Sequence, residues 1–201
     1  MPPPSLPTLE SLTALFPPDR HAPEHSTAYI YTGVALLALG CEKRIPELWQ
    51  QIAGAHADSA AAQATAARRL REALVKCSPL IGFPRAINAL TSLRAALAPA
   101  VCARLEQACL ADPAQPCLAD PALPCSSEAG GEALFANIYG RHAGRVRAAL
   151  DDISGARLGD FAVRCIYGEL LADGRVLGAR ESAGCVFVAC LAAGAGPQAK
   201  G

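Results

Sequence analysis

The chain has 201 residues, 52% of them hydrophobic and only 5% aromatic, with 18 basic side chains balanced by 18 acidic ones. That length makes one large domain or two small ones with a real core, and an alanine-rich, aromatic-poor composition favours packed helices over sheets. A formal charge of zero leaves no surplus of cations for phosphates, which excludes a general nucleic-acid binder.

Residues 1–23 are proline-rich, with a short helix expected at 8–16 and closed by Pro17-Pro18. The first dozen residues have neither a basic region nor a long apolar stretch, so no secretory signal is expected. His25-Ser26-Thr27 offers an N-cap to a helix over 27–39 that ends at Gly40. A helix over 44–54, starting around Pro46, carries the single tryptophan, Trp49. Asp58 or Ser59 caps a long helix to 78, in which Leu70, Leu74, Cys77 and Ile81 recur at helical spacing. Arg68, Arg69 and Arg71 are expected on its solvated face. Pro79 marks a kink or stop, and Gly82-Phe83-Pro84 makes a corner into a helix over 84–97. Phe83 is expected as a buried plug beneath that corner. A helix over 99–111 follows Pro99.

Residues 109–125 read CLADPAQP, CLADPALP and then Cys125, an eight-residue unit in tandem. Its prolines prevent helix, so an expanded surface linker is expected, with Cys109, Cys117 and Cys125 belonging to the repeat. Ser126 or Ser127 then caps a helix over 128–139, interrupted at Gly140 and resumed to 152. Another helix runs from Leu158 to 172 with Phe161, Cys165, Tyr167 or Gly168, and Leu171 inward. Asp173-Gly174 is a turn, and the last helix, 179–193, is apolar nearly all round, which predicts burial against several neighbours. Residues 194–201 form a loop. The division is thus a segment 1–23, a helical unit 24–108, a linker 109–127, a second helical part 128–194 and a tail 195–201. Thr27–Gly40 can be laid on Glu181–Gly194, as if one whole unit were followed by the first part of another.

Nine cysteines occur without a single CxxC, and neither a metal site nor a cofactor is expected. An odd cysteine number without an export signal indicates a reducing, intracellular compartment, the cytoplasm first, with peroxisome and mitochondrion left open. The C-terminal QAKG is not an SKL-type tripeptide. The apolar runs 28–41 and 183–195 are too short to cross a bilayer, so no membrane partner is expected. Arg141-His142 with Arg145 sits near a helix start, where an anion could bind, but a solvated face is the expected reading.

LALGCEKRIPELWQQI, ALVKCSPLIGFPRAINAL, LFANIYGRHAGRV, FAVRCIYGELL and ARESAGCVFVACLAAG together resemble the carboxymuconolactone decarboxylase domain shared with the alkylhydroperoxidase D (AhpD-like) group, over roughly 24–97 and 130–194. The likeness is to fungal and algal members with a degenerate duplicated domain. It implies an all-α, AhpD-like helical bundle with one full unit and a truncated second. It also implies a homo-oligomer, a peroxiredoxin-type antioxidant or decarboxylase activity, and a small-molecule substrate that the sequence does not name.

In the peroxidase branch one thiolate of a CxxC attacks peroxide and the other resolves the product as a disulfide, while a glutamate and a histidine relay protons. Glu181 matches the glutamate position, but the two Cys positions fall near Ala193 and Gly196, and no histidine follows. In the first unit Thr27, Leu39 and Glu42 stand at the corresponding places, with Cys41 close by and alone. The decarboxylase branch implies a histidine and basic residues, and His56 lies just beyond the helix where one is expected. The candidate catalytic residues are therefore Glu181, Cys41, Cys185 and Cys190. The motif is incomplete, and an ionised thiol is disfavoured in so apolar a helix as 179–193. The expectation is a non-catalytic scaffold or binding module, with a thiol-dependent antioxidant or a decarboxylase acting on a small cyclic acid as alternatives. Self-association is expected through helix 179–193 and the first buried helix, whose apolar faces would otherwise stay uncovered.

Overall fold

A computed structural model of the chain describes residues 5–22, 25–111 and 126–196, and every regular element among them is helical. Thr8 caps α1 (Leu9–Thr13) by accepting the Ser11 N–H at 3.2 Å. α2 (Ala28–Ala38) is followed by a single 3-10 turn at Glu42–Arg44 and by α3 (Ile45–Ala55), which has Pro46 in its first turn. Backbone N–H groups of Leu6 and Leu9 donate to Glu47 (3.2 Å) and Gln51 (2.6 Å), which straps the N-terminal segment onto α3. Ser59 caps α4 (Ala60–Lys76) as its sequence predicts, accepting the Ala62 N–H at 3.1 Å. Pro79 falls in the first turn of a separate short helix, α5 (Ser78–Ile81), and so starts an element instead of kinking one.

α6 (Phe83–Ala96) and α7 (Pro99–Ala111) complete the first part of the chain. The core gathers Ile30, Val34 and Leu37 of α2, Ile45, Leu48, Trp49 and Ile52 of α3, and Leu70, Ala73 and Leu74 of α4. Residues 112–125, which hold most of the CLADPAxP repeat with Cys117 and Cys125, lie outside the described residues. Helix runs to Ala111 before them and resumes at Ser126 in α8 (Ser126–Tyr139), two residues earlier than expected.

The Gly82–Pro84 corner forms, but Phe83 does not plug it. Gly82 takes φ +108°, and Phe83 becomes the first residue of α6 with 66% of its surface exposed. Ala86, Ala89 and Leu93 face inward instead, and Leu80, Phe83 and Ile87 stand outward together. Phe83 and Ile87 are four apart, so they share a face by helical geometry. The inward row passes through Ala86, a position the larger side chains disguised.

α9 (Ala143–Ser154) and α10 (Arg157–Phe161) lead into a π-helical segment, Ala162–Leu171, that widens the turn. Its buried residues are Val163, Gly168 and Leu171, whereas Phe161 is exposed. A period of 3.6 places Phe161 and Cys165 inward; five-residue steps move the inner face to Val163 and Gly168. α8 lies against this segment so closely that a Cβ at Gly131 would collide with the Val163 carbonyl and the Gly168 backbone.

α11 (Ala179–Ala192) packs on α2 and α4 and adds Cys185 and Ala189 to the same core. The two apolar helices therefore pack against each other, while Phe187 and Leu191 of α11 stay exposed. α2 and α11 also end alike. Gly40 (φ +71°) and Gly194 (φ +75°) are left-handed, and the N–H groups of Cys41 and Ala195 reach back to Leu36 and Cys190 carbonyls at 2.8 Å. Among the described residues no single helix is long and apolar enough to cross a membrane.

Candidate functional site

The polar groups of the interior gather where α4 meets α11. On α4 and its C-cap, residues 69, 72, 73, 76 and 77 fall three and four apart and share a face. On α11 the facing row is Glu181, Ser182, Cys185 and Ala189. Each row mixes small residues with charge, so the helices approach closely and their charges must find partners within the contact.

Arg69 is the first of these. It is buried, which overturns the expectation of a solvated arginine cluster, and its guanidinium pairs with the Glu181 carboxylate. It also donates to the Ser26 carbonyl at 2.7 Å and to the Tyr29 hydroxyl at 3.2 Å. The second Glu181 oxygen accepts the Gly178 N–H at 3.1 Å, closing the first turn of α11. Glu181 is thus held by a cation on one side and a helix start on the other.

Lys76, one helical row further, is fully buried. Its ammonium donates to the Leu171 carbonyl (3.1 Å), the Asp173 carbonyl (2.6 Å) and the Ser182 hydroxyl (3.0 Å). It therefore caps the end of the π-helical segment and ties the 171–182 connection to α4. Burial pushes the Lys76 ammonium below the usual lysine range, with Glu72 and Asp173 pulling it partly back. Burial raises the Glu72 carboxyl, an effect that Lys76 offsets in part. Arg175, bonded to Asp173 at 2.6 and 2.9 Å, holds the latter's carboxyl below its ordinary value.

Beyond Lys76 the thiols converge. Cys77 and Cys185 are both fully buried in the same core cluster. The neighbouring Cys185 side chain, burial and Cys190 hold Cys77 above the usual thiol range. Burial also raises Cys190. Tyr31 reaches in from α2, its hydroxyl close against Gly184. Burial raises its phenol, with Cys185 and Glu181 adding to the shift.

Of the four candidate residues, Glu181, Cys185 and Cys190 share α11 and face this cluster. Cys41 does not. It is half-buried just past the left-handed end of α2, ahead of Lys43 and of Arg44, which is bound to Glu47 at 2.9 and 3.0 Å. His56 caps the end of α3, where its carbonyl accepts from Gln63 at 3.0 Å. Arg69, Lys76, Cys77, Tyr31 and Ser182 escaped the sequence reading as site residues. The usable signal was that Arg69 and Lys76 lie in the same α4 rows as Leu70, Ala73 and Cys77, where a cation is out of place unless paired.

No family model matches the chain, and no solved structure matches it. Among curated proteins it is similar to a Schizosaccharomyces pombe protein described as "Peroxisomal protein 2", 29% identical over 133 residues, which are 66% of this chain and 56% of that protein. The chain spans about half the length of that relative.

Proposed function

We propose that this chain is an AhpD-like helical protein of the carboxymuconolactone decarboxylase type that keeps the family's scaffold without its peroxidase chemistry and serves as a binding module. One observation carries the reading. The carboxylate at the family's glutamate position is engaged by Arg69 and the start of α11, Cys185 one turn further on is fully buried, and Cys77 and Cys190 are pushed above the usual thiol range. A peroxidatic thiol must be ionised and reachable, and a proton-relaying carboxylate must be free to exchange protons. A peroxisomal setting is part of the proposal, motivated by the name of the fission-yeast relative. So is self-association, now carried on the outward Leu80, Phe83 and Ile87.

The Cys77–Cys185 contact favours a second reading, a thiol antioxidant. Two thiols in contact are the set that reduces a peroxide to water or alcohol and water while forming one disulfide. A coupled assay of peroxide consumption with a dithiol reductant separates the two. The binding-module reading expects rates at the no-protein background. Turnover in wild type that disappears in Cys185→Ser establishes the antioxidant instead, and turnover that disappears only in Cys41→Ser makes the outlying thiol the nucleophile.

A further inference from the structure

Away from the polar cluster, a cavity of about 610 Å³ opens between α4, α6 and α7. Its volume lies within the few hundred to about a thousand Å³ of small-molecule sites. Its wall is aliphatic: Val75 on α4, Leu90 and Leu93 on α6 with Leu97 at its C-cap, and Leu105 on α7. Leu93 and Leu105 are buried, and Val75, Leu90 and Leu97 are half-buried. None of the five is among the outward apolar side chains, such as Phe83, Phe187 and Leu191. The apolar surface here lines a recess and does not protrude, which suits an enclosed small molecule better than the flat face of a partner protein.

The charged side chains of the lining are Arg71, Arg94 and Glu106, and all three are already engaged. Arg94 pairs with Glu106 at 3.6 Å, and with 65% and 69% of their side chains exposed the two stand in water at the mouth. Arg71 is engaged within the protein as well. A charged group entering the recess meets no free counter-charge and loses its hydration against the aliphatic wall. We propose that this cavity binds an uncharged aliphatic molecule, its hydrocarbon chain buried between α4, α6 and α7 and any hydroxyl left at the solvated mouth. Burial of CH2 groups needs no directional partner, so affinity follows chain length. The proposal gives the binding module a class of ligand and rests on that reading only there. Binding and peroxide turnover are measured separately, so either can fail alone.

Calorimetric titration of the full chain with straight-chain 1-alkanols from hexanol to decanol, each kept below its solubility limit, tests it. The expected result is one site, a negative heat-capacity change, and an affinity that rises about fourfold for each added CH2. Decanoate and decyltrimethylammonium, which carry the same chain on an anion and a cation, are both expected to bind about tenfold or more weaker than decanol. Leu90→Asn weakens decanol about tenfold while circular dichroism shows the helices intact. Val75→Thr, which keeps the shape of the wall and adds a hydroxyl, weakens it in the same direction and serves where Leu90→Asn fails to fold. Several results overturn the proposal. They are absence of decanol binding, an affinity that does not change with chain length, and equal affinity for either ion. Unchanged decanol affinity in the folded variants also overturns it. So does a mass that rises with protein concentration and falls in Leu90→Asn, which makes the recess a contact between copies.

Discussion

Glu181→Ala removes one member of the ion pair that joins α11 to α4 and leaves Arg69 charged in the interior. The Arg69 side chain is 5% exposed and that of Glu181 17%, so solvent replaces little of the lost partner. Stranding one charge of a buried pair costs about 3–5 kcal/mol. Arg69 keeps its bonds to the Ser26 carbonyl and the Tyr29 hydroxyl, which places the loss at the lower end of that range. Glu181 also closes the first turn of α11 through the Gly178 N–H, and loss of a helix-start contact adds about 0.5–2 kcal/mol. The expected total is about 4 kcal/mol, or roughly 8–16 °C in Tm for a chain of this size. Urea denaturation followed by circular dichroism measures it. Arg69→Met/Glu181→Leu is expected to recover most of the loss, because a buried pair exchanged for apolar side chains is often neutral. A loss below about 1 kcal/mol in Glu181→Ala, or a double variant as damaged as the sum of the singles, refutes the pairing argument.

Gly131→Ala is expected to destabilise by about 1–3 kcal/mol despite alanine's better helix propensity, because the added methyl meets backbone at Val163 and Gly168 that cannot turn aside; an unchanged urea midpoint contradicts the close α8 contact. Phe83→Ala is expected to change stability by less than about 0.5 kcal/mol, as an exposed side chain does, and a loss of several kcal/mol would restore the buried-plug expectation. Glu72→Gln tests the raised carboxyl. Its folded-state pKa lies above the unfolded value, so the folded state binds more protons between the two, and stability falls as pH rises through that window. Neutralising the side chain therefore raises Tm at pH 7 and changes it less at pH 4, and a lower Tm at pH 7 reverses the sign of the argument.

Helical class, most helix limits and the Ser59 cap were readable from spacing and capping residues, because those rules are local. The polar cluster was not, because it is made of pairs such as Arg69 with Glu181 and Lys76 with Ser182, more than a hundred residues apart in sequence. A run of arginines on an alanine-rich helix looks solvated until the partner helix is in place. Phe83 misled for a related reason. Its size and its position between glycine and proline suggested a plug, whereas the face that packs is set by the small residues Ala86 and Ala89. The π-helical segment shifted the inner face from Phe161 to Val163, and nothing in a 3.6-residue period announces a wider turn.

The central claim, that these thiols are packing groups and not a peroxidatic pair, is tested most directly at Cys77 and Cys185. The folded protein is treated with peroxide, its remaining thiols are blocked, and the peptides are mapped by mass spectrometry with and without reduction. Both cysteines are predicted to be recovered as free thiols after exposures that oxidise a solvent-accessible thiol control. A Cys77–Cys185 disulfide that forms rapidly in the folded chain, and is reversed by a dithiol, contradicts the account.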